Sequence, residues 1–140
     1  MSDTTLANTP IAELVPEAER GTFIPKLLPG VNLLIAEATV FDFMAQLCPA
    51  YGGGFWNYYR LSNGGYYMAP DKYGRMTLEW WGNGFSGEMS EDAAGIVATL
   101  FALSHLSFKV PNDGLVDNFE KLREFSYTHP ESALISQAID

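Results

Sequence analysis

The sequence is poor in cations, in cysteine and in long apolar runs, and each shortage removes a class of function. Lysine and arginine number 8 against 17 aspartates and glutamates, which gives a formal net charge of −9. A surface that grips phosphates needs clustered Lys and Arg, so no direct nucleic-acid binding is expected. An anionic membrane surface is unfavourable for the same reason. The single cysteine, Cys48, has no partner for an internal disulfide, and nothing points to an oxidising compartment.

Two apolar stretches fall short of a membrane span. Residues 31–48 contain Glu37 and Asp42, and residues 93–108 are uncharged but only 16 long. A span needs about 20 clean apolar residues, so both are expected to be buried helices. Residues 1–20 show no basic start followed by an apolar run and carry Asp3, Glu13, Glu17 and Glu19. A cytoplasmic protein is expected.

Catalytic equipment is equally scarce. Of the 2 histidines, His105 lies in the apolar stretch and is expected to be a hydrogen-bonded core residue. His129 precedes Pro130 and reads as a helix junction. Neither has neighbours at metal-ligand spacing, and zinc wants three or four ligands. A magnesium site built from carboxylates alone is the metal reading that composition leaves open. Cys48 sits at a helix end among apolar residues, the setting of a buried structural thiol. Gly84-Phe85-Ser86-Gly87 fails as a nucleophile elbow because Glu88 stands where the closing glycine belongs. Gly52-Gly53-Gly54 precedes a strand and does not open a helix, so it makes no phosphate cradle. Glu88, Glu91 and Asp92 could supply an acid/base pair, but their position reads as a solvated helix start. The expectation is a protein with no catalytic residue, no cofactor and no metal.

What is present is material for a core. The 140 residues are 47% hydrophobic and 14% aromatic, enough for one domain. Residues 1–9 are polar and expected to be flexible, with a single domain over 10–140. Four prolines punctuate residues 10–29, where a short helix at 11–19 and an extended segment at 22–28 are expected. Residues 31–47 place Leu33, Ala36, Val40, Phe43, Met44 and Leu47 at helical spacing. Aromatic-rich 54–61, then Ser62-Asn63-Gly64-Gly65 and 65–69, predict a hairpin closed by a type I′ Asn-Gly turn. Residues 75–81 alternate Met76, Leu78 and Trp80 against Arg75, Thr77 and Glu79, and a turn at 82–84 leads to a strand at 85–89. Ser90 is a good N-cap, with Glu91 and Asp92 in the first turn, for a helix running to about Phe108. That helix is apolar nearly all round and is expected to be central. Leu115, Phe119 and Leu122 face inward on an amphipathic helix at 115–127, and a last short helix is expected at 130–138. The fold class is α+β: one four-stranded antiparallel meander packed with about three to five helices.

Three ordered blocks then carry a resemblance. The first is Leu47-Cys48, Tyr51-Gly52-Gly53, Trp56 and Tyr59. The second is the unbroken run from Leu61 to Pro70. The third joins Gly82-Asn83-Gly84-Phe85, Gly87-Glu88-Met89-Ser90 and the run from Asp92 to Leu100. Over residues 23–106 the chain resembles the ArdB/KlcA antirestriction family of plasmids and other mobile elements. The resemblance implies a cofactor-free inhibitor that protects incoming DNA from type I restriction–modification. It supplies no functional residues to carry over.

An acidic antirestriction protein invites DNA mimicry, which charge density can test. A globule of this length is roughly 37 Å across, and that length of duplex carries about 22 charges. The chain offers −9, and residues 60–75 are net positive. Protein–protein contact is therefore the preferred mechanism, with a restriction–modification subunit or an associated host protein as partner and a monomeric state. An acidic DNA mimic occupying the restriction enzyme's DNA groove and a non-catalytic regulatory adaptor are the alternatives. The turns would lie on loops, where binding residues concentrate. Candidate contact residues are Asn63, Tyr67, Asp71, Trp81, Asn83, Glu88, Glu91 and Asp92.

Overall fold

The computed structural model describes residues 9–140. The expected flexibility of the first nine residues falls almost wholly outside the described part of the chain. In order, the elements are β1 (Ala12–Leu14), a 3-10 turn (Glu17–Thr22), α1 (Phe23–Leu27), α2 (Leu33–Leu47), β2 (Trp56–Leu61), β3 (Tyr66–Pro70), β4 (Arg75–Trp80), β5 (Phe85–Ser90), α3 (Glu91–Lys109), α4 (Asp113–Ser126) and α5 (Ser132–Ile139).

The class is α+β, as the sequence predicts, and all four meander strands form. They are divided between two sheets, however: β1-β2-β3 and β4-β5, each antiparallel. The break falls at residues 71–74. Pro70 ends β3 without an amide to donate, and Lys72 (φ 70) and Gly74 (φ 69) both turn left-handed. The linker is then fastened to a helix, not a strand. Glu91 Oε1 accepts from the amides of Tyr73 (2.7 Å) and Gly74 (2.6 Å), while the Glu91 amide donates to Gly74 O at 2.9 Å.

The proline-rich segment departs from expectation twice. Residues 12–14, expected in a helix, pair with β2 (Ala12↔Leu61). Residues 23–27, expected to be extended, form α1. Both outcomes are set by distant partners. Arg60 on β2 pairs with Glu13 and, at 2.8 Å, with Glu19, and Phe23 stacks on Tyr58 at 4.6 Å. Pro25 fits because it lies in the first turn of α1, where its missing amide has no intrahelical role.

Helix α3 is the centre, as its composition demands. Residues 93–100 are all buried, and the helix packs on β3, α2, α4 and α5. Ser90 caps it through Ala93 N–H (3.1 Å). Gly95 lets it approach β3 closely: a Cβ there would meet Ala69 Cα and Met68 O at 2.5 Å. The Thr99 hydroxyl lies 2.8 Å from Gly95 O and 3.2 Å from Met68 O, tying helix to strand. On α2 the buried stripe is Ala36, Val40, Met44 and Leu47. Leu33, expected inside, is exposed. On α4 the inward positions include Asn118, whose amide group donates to Lys26 O (2.8 Å) and Leu27 O (2.9 Å), anchoring α1. Cys48 is buried, as expected.

Candidate functional site

The acidic helix start, expected to face solvent, is bound into the molecule. Glu88 accepts from Arg75 Nε at 3.0 Å, and Glu91 holds the linker amides. Asp92 accepts from the Tyr67 hydroxyl on one oxygen and meets His129 Nε2 on the other, both at 2.8 Å. The Glu131 amide donates to His129 Nδ1 at 3.0 Å. That nitrogen is therefore the acceptor, and the ring proton sits on Nε2, facing Asp92. A hydroxyl, a carboxylate and an imidazole in a row have the parts of a nucleophilic triad. Tyr67, however, is 1% exposed, so no substrate reaches it. Burial, then the Asp92 charge and hydrogen bond, drive its pKa well up, and the phenol stays protonated. The chain is a clamp joining β3, the start of α3 and the α4–α5 junction.

Glu131 extends the clamp. It accepts from the Ser90 amide (3.0 Å), the Ser90 hydroxyl and Arg75 Nη1 (3.2 Å). Burial works against its charge, but these donors outweigh it and hold its carboxyl below the usual range.

Two candidate asparagines turn out to be one device used twice. Asn63 Oδ1 accepts from Gly65 N–H at 3.0 Å. Its Nδ2 donates to Lys121 O and Glu124 Oε1, each at 2.9 Å on α4. Asn83 Oδ1 accepts from Phe85 N–H at 3.0 Å, and its Nδ2 donates to Gln137 O (3.3 Å) and Ala138 O (2.9 Å) on α5. Each side chain shapes its own turn and clasps the hairpin to a C-terminal helix. The first turn is not type I′. Of Asn63 and Gly64, only Gly64 has positive φ (90), and the Leu61–Gly64 and Leu61–Gly65 bonds make a three-residue loop with a bulge.

Asp71 and Trp81 remain. Asp71 is half-buried, and its amide donates to Phe55 O at 2.8 Å. Trp81 is 89% exposed at the tip of the second hairpin. It begins a track of rings that sequence reading missed. Trp81 lies 6.4 Å from Trp80, Trp80 4.7 Å from Phe101, Phe101 5.6 Å from Phe43, and Phe43 5.4 Å from His105. His105, expected in the core, is exposed beside a cleft of about 300 Å³ lined by Thr39, Asp42, Phe43, Gln46 and His105. The signal was Phe101, His105 and Phe108 at helical spacing on one face of α3, hidden by the apolar composition around them. Among the described residues, no group of three or more His, Cys, Asp or Glu could hold a metal ion, and no helix is long and apolar enough to cross a membrane.

The two-sheet α+β fold around one buried helix is shared with a solved structure. The profile of the antirestriction protein family matches residues 49–140, and the chain belongs to that family. Among its relatives is the antirestriction protein KlcA of Escherichia coli, 47% identical over 146 residues and 100% of both chains. The uncharacterised protein YafX of Escherichia coli K12 is 36% identical over 96% of this chain and 93% of its own. A solved KlcA/ArdB structure superposes with a TM-score of 0.82 at 47% identity, covering 94% of this chain and 95% of that one. The work on it ascribes to KlcA and ArdB a novel fold, with activity against type I DNA restriction systems in vivo but not in vitro.

Proposed function

We propose that this chain relieves type I DNA restriction inside the cell, without catalysis, by contacting a protein. Likeness to the solved relatives over almost the whole chain supports the activity. The observation that carries the mechanism is where the charge goes. Glu13 and Glu19 bind Arg60, Glu88 and Glu131 bind Arg75, and Asp140 pairs with Arg123. Asp92, Glu91, Glu37 and Glu124 accept from tyrosine, backbone or asparagine donors. A DNA mimic must display its carboxylates unpaired along a surface, and here most are occupied, whereas a tryptophan is displayed. Activity in vivo but not in vitro in the relatives favours a contact that needs a cellular component. The cytoplasm, where restriction acts on entering DNA, is the location this reading requires.

The test is phage plating on cells with an active type I system, with and without this chain. Recovery of plating only for phage carrying unmodified sites is the expected result. Equal plating of both phages, with the protein folded and abundant, refutes the reading.

A further inference from the structure

We propose that the ring track beginning at Trp81 is the docking surface, and that its occupant is a basic protein segment. The segment lays guanidinium or apolar groups on the rings and pairs its cations with Asp42 and Glu79. The proposal rests on the protein-contact reading above and adds the place and the partner's chemistry.

Five rings from three elements follow one another without interruption: Trp81 and Trp80 at the end of β4, Phe101 on α3, Phe43 on α2, and His105 on α3. The inner rings serve the core, but the ends do not. Trp81, at one end, is 89% exposed, and His105, at the other, is exposed. Leaving an indole in water costs hydration free energy that folding alone does not require. Tryptophan is also the residue most enriched among contacts that dominate interfaces. The cleft of about 300 Å³ between α2 and α3 gives the track depth next to Phe43.

The occupant follows from charge. Asp42 lines that cleft, and Glu79 sits on β4 two residues from Trp81. Both are exposed. Neither has an ion-pair or hydrogen-bond partner among the described residues, unlike the acids around Arg60 and Arg75. No Lys or Arg lines the cleft, and Lys109 lies at the far end of α3. Indole faces attract guanidinium and ammonium groups, and a net charge of −9 steers cationic surfaces inward. A second copy of this chain would set like carboxylates and two such charges against each other. Nucleic acid carries the sign of Asp42 and Glu79.

The experiment is the plating assay with three variants: Trp81→Ala, the double change Asp42→Lys with Glu79→Lys, and Val116→Ala as a control on exposed α4 surface. Each is checked for an unchanged thermal midpoint and for mass by light scattering. Trp81→Ala and the double variant are expected to lower protection by about tenfold or more, and Val116→Ala to protect like the parent. Full protection by Trp81→Ala overturns the surface. Loss in Trp81→Ala with full protection by the double variant overturns the basic partner. Equal loss in the control, or a parent dimer that Trp81→Ala dissolves, also overturns the proposal. If the parent chain itself fails to protect, the proposed function falls and this inference with it.

Discussion

The two hairpins make an instructive pair. Each turns on an asparagine whose side chain completes the turn and reaches a C-terminal helix. Yet β2–β3 is absorbed and β4–β5 is displayed. Tyr67, Met68, Ala69 and Pro70 of β3 are all buried, pressed on α3 at Gly95 and stacked through Tyr67 on Phe125 at 5.7 Å. β4 alternates buried Met76 and Leu78 with exposed Arg75, Thr77 and Glu79. It then ends in a tryptophan that its own fold does not cover. The same local marker therefore serves architecture in both places, and function is better sought where packing leaves a large side chain over.

The comparison can be broken at its tightest point first. Gly95→Ala forces a methyl to within 2.5 Å of β3 backbone, and a loss on the order of 3 kcal/mol in denaturant unfolding is expected. On the second hairpin a Cβ at Gly87 would meet side chains, not backbone: Phe85 Cζ at 2.9 Å and Leu134 Cδ2 at 3.3 Å. Asn63→Ala and Asn83→Ala test the clasps. Removing Asn63 leaves Lys121 O without its donor in a part-buried site and is expected to cost about 1–3 kcal/mol. Asn83, on the surface, is expected to cost about 1 kcal/mol. Equal losses would mean that the two clasps carry the same weight.

Titration sharpens the contrast. Glu131 serves the second hairpin through Arg75 and Ser90, and its folded pKa lies below 4.5. Its contribution is present above that value and is lost as pH falls through the folded pKa. Glu131→Gln should flatten the acid limb of a stability–pH curve. Tyr58 belongs to the first hairpin. Burial, then Glu37, pushes its pKa from 10.0 to about 12. Stability associated with the neutral phenol is complete below pH 10 and is lost as pH rises toward 12, and Tyr58→Phe should remove that share of the alkaline limb. Last and smallest, Trp81→Ala should change stability by less than about 0.5 kcal/mol, because almost nothing in the fold touches the ring.

What the sequence made legible follows from the range of the forces involved. Helix α3 was readable because its periodicity and the Ser90 cap are local. So were the four strands. Residues 10–28 were not, because β1 exists only through its distant pairing with β2 (Ala12↔Leu61), and α1 only through Tyr58 and Asn118. The split between sheets depended on two left-handed residues and on Glu91, none of which signals its partner in advance. Among the candidate contacts, Asn63, Asn83, Glu88, Glu91 and Asp92 stand out in the sequence by turn position and charge, and the structure gives each an internal partner. Trp81 alone is both large and almost fully bare. His105 was misplaced because a lone polar residue on an apolar helix reads as buried until its face is known.

The clasp on Asn83 also has a consequence for biosynthesis. Its carbonyl partners lie 54 and 55 residues further along the chain. The second hairpin is therefore synthesised before the residues that fasten its tip. Until those residues are in place, the Asn83 amide has no helical carbonyls to donate to. Trimming the chain back past Gln137 should thus leave the hairpin's strands in place while returning its tip to the unfastened state of the nascent protein.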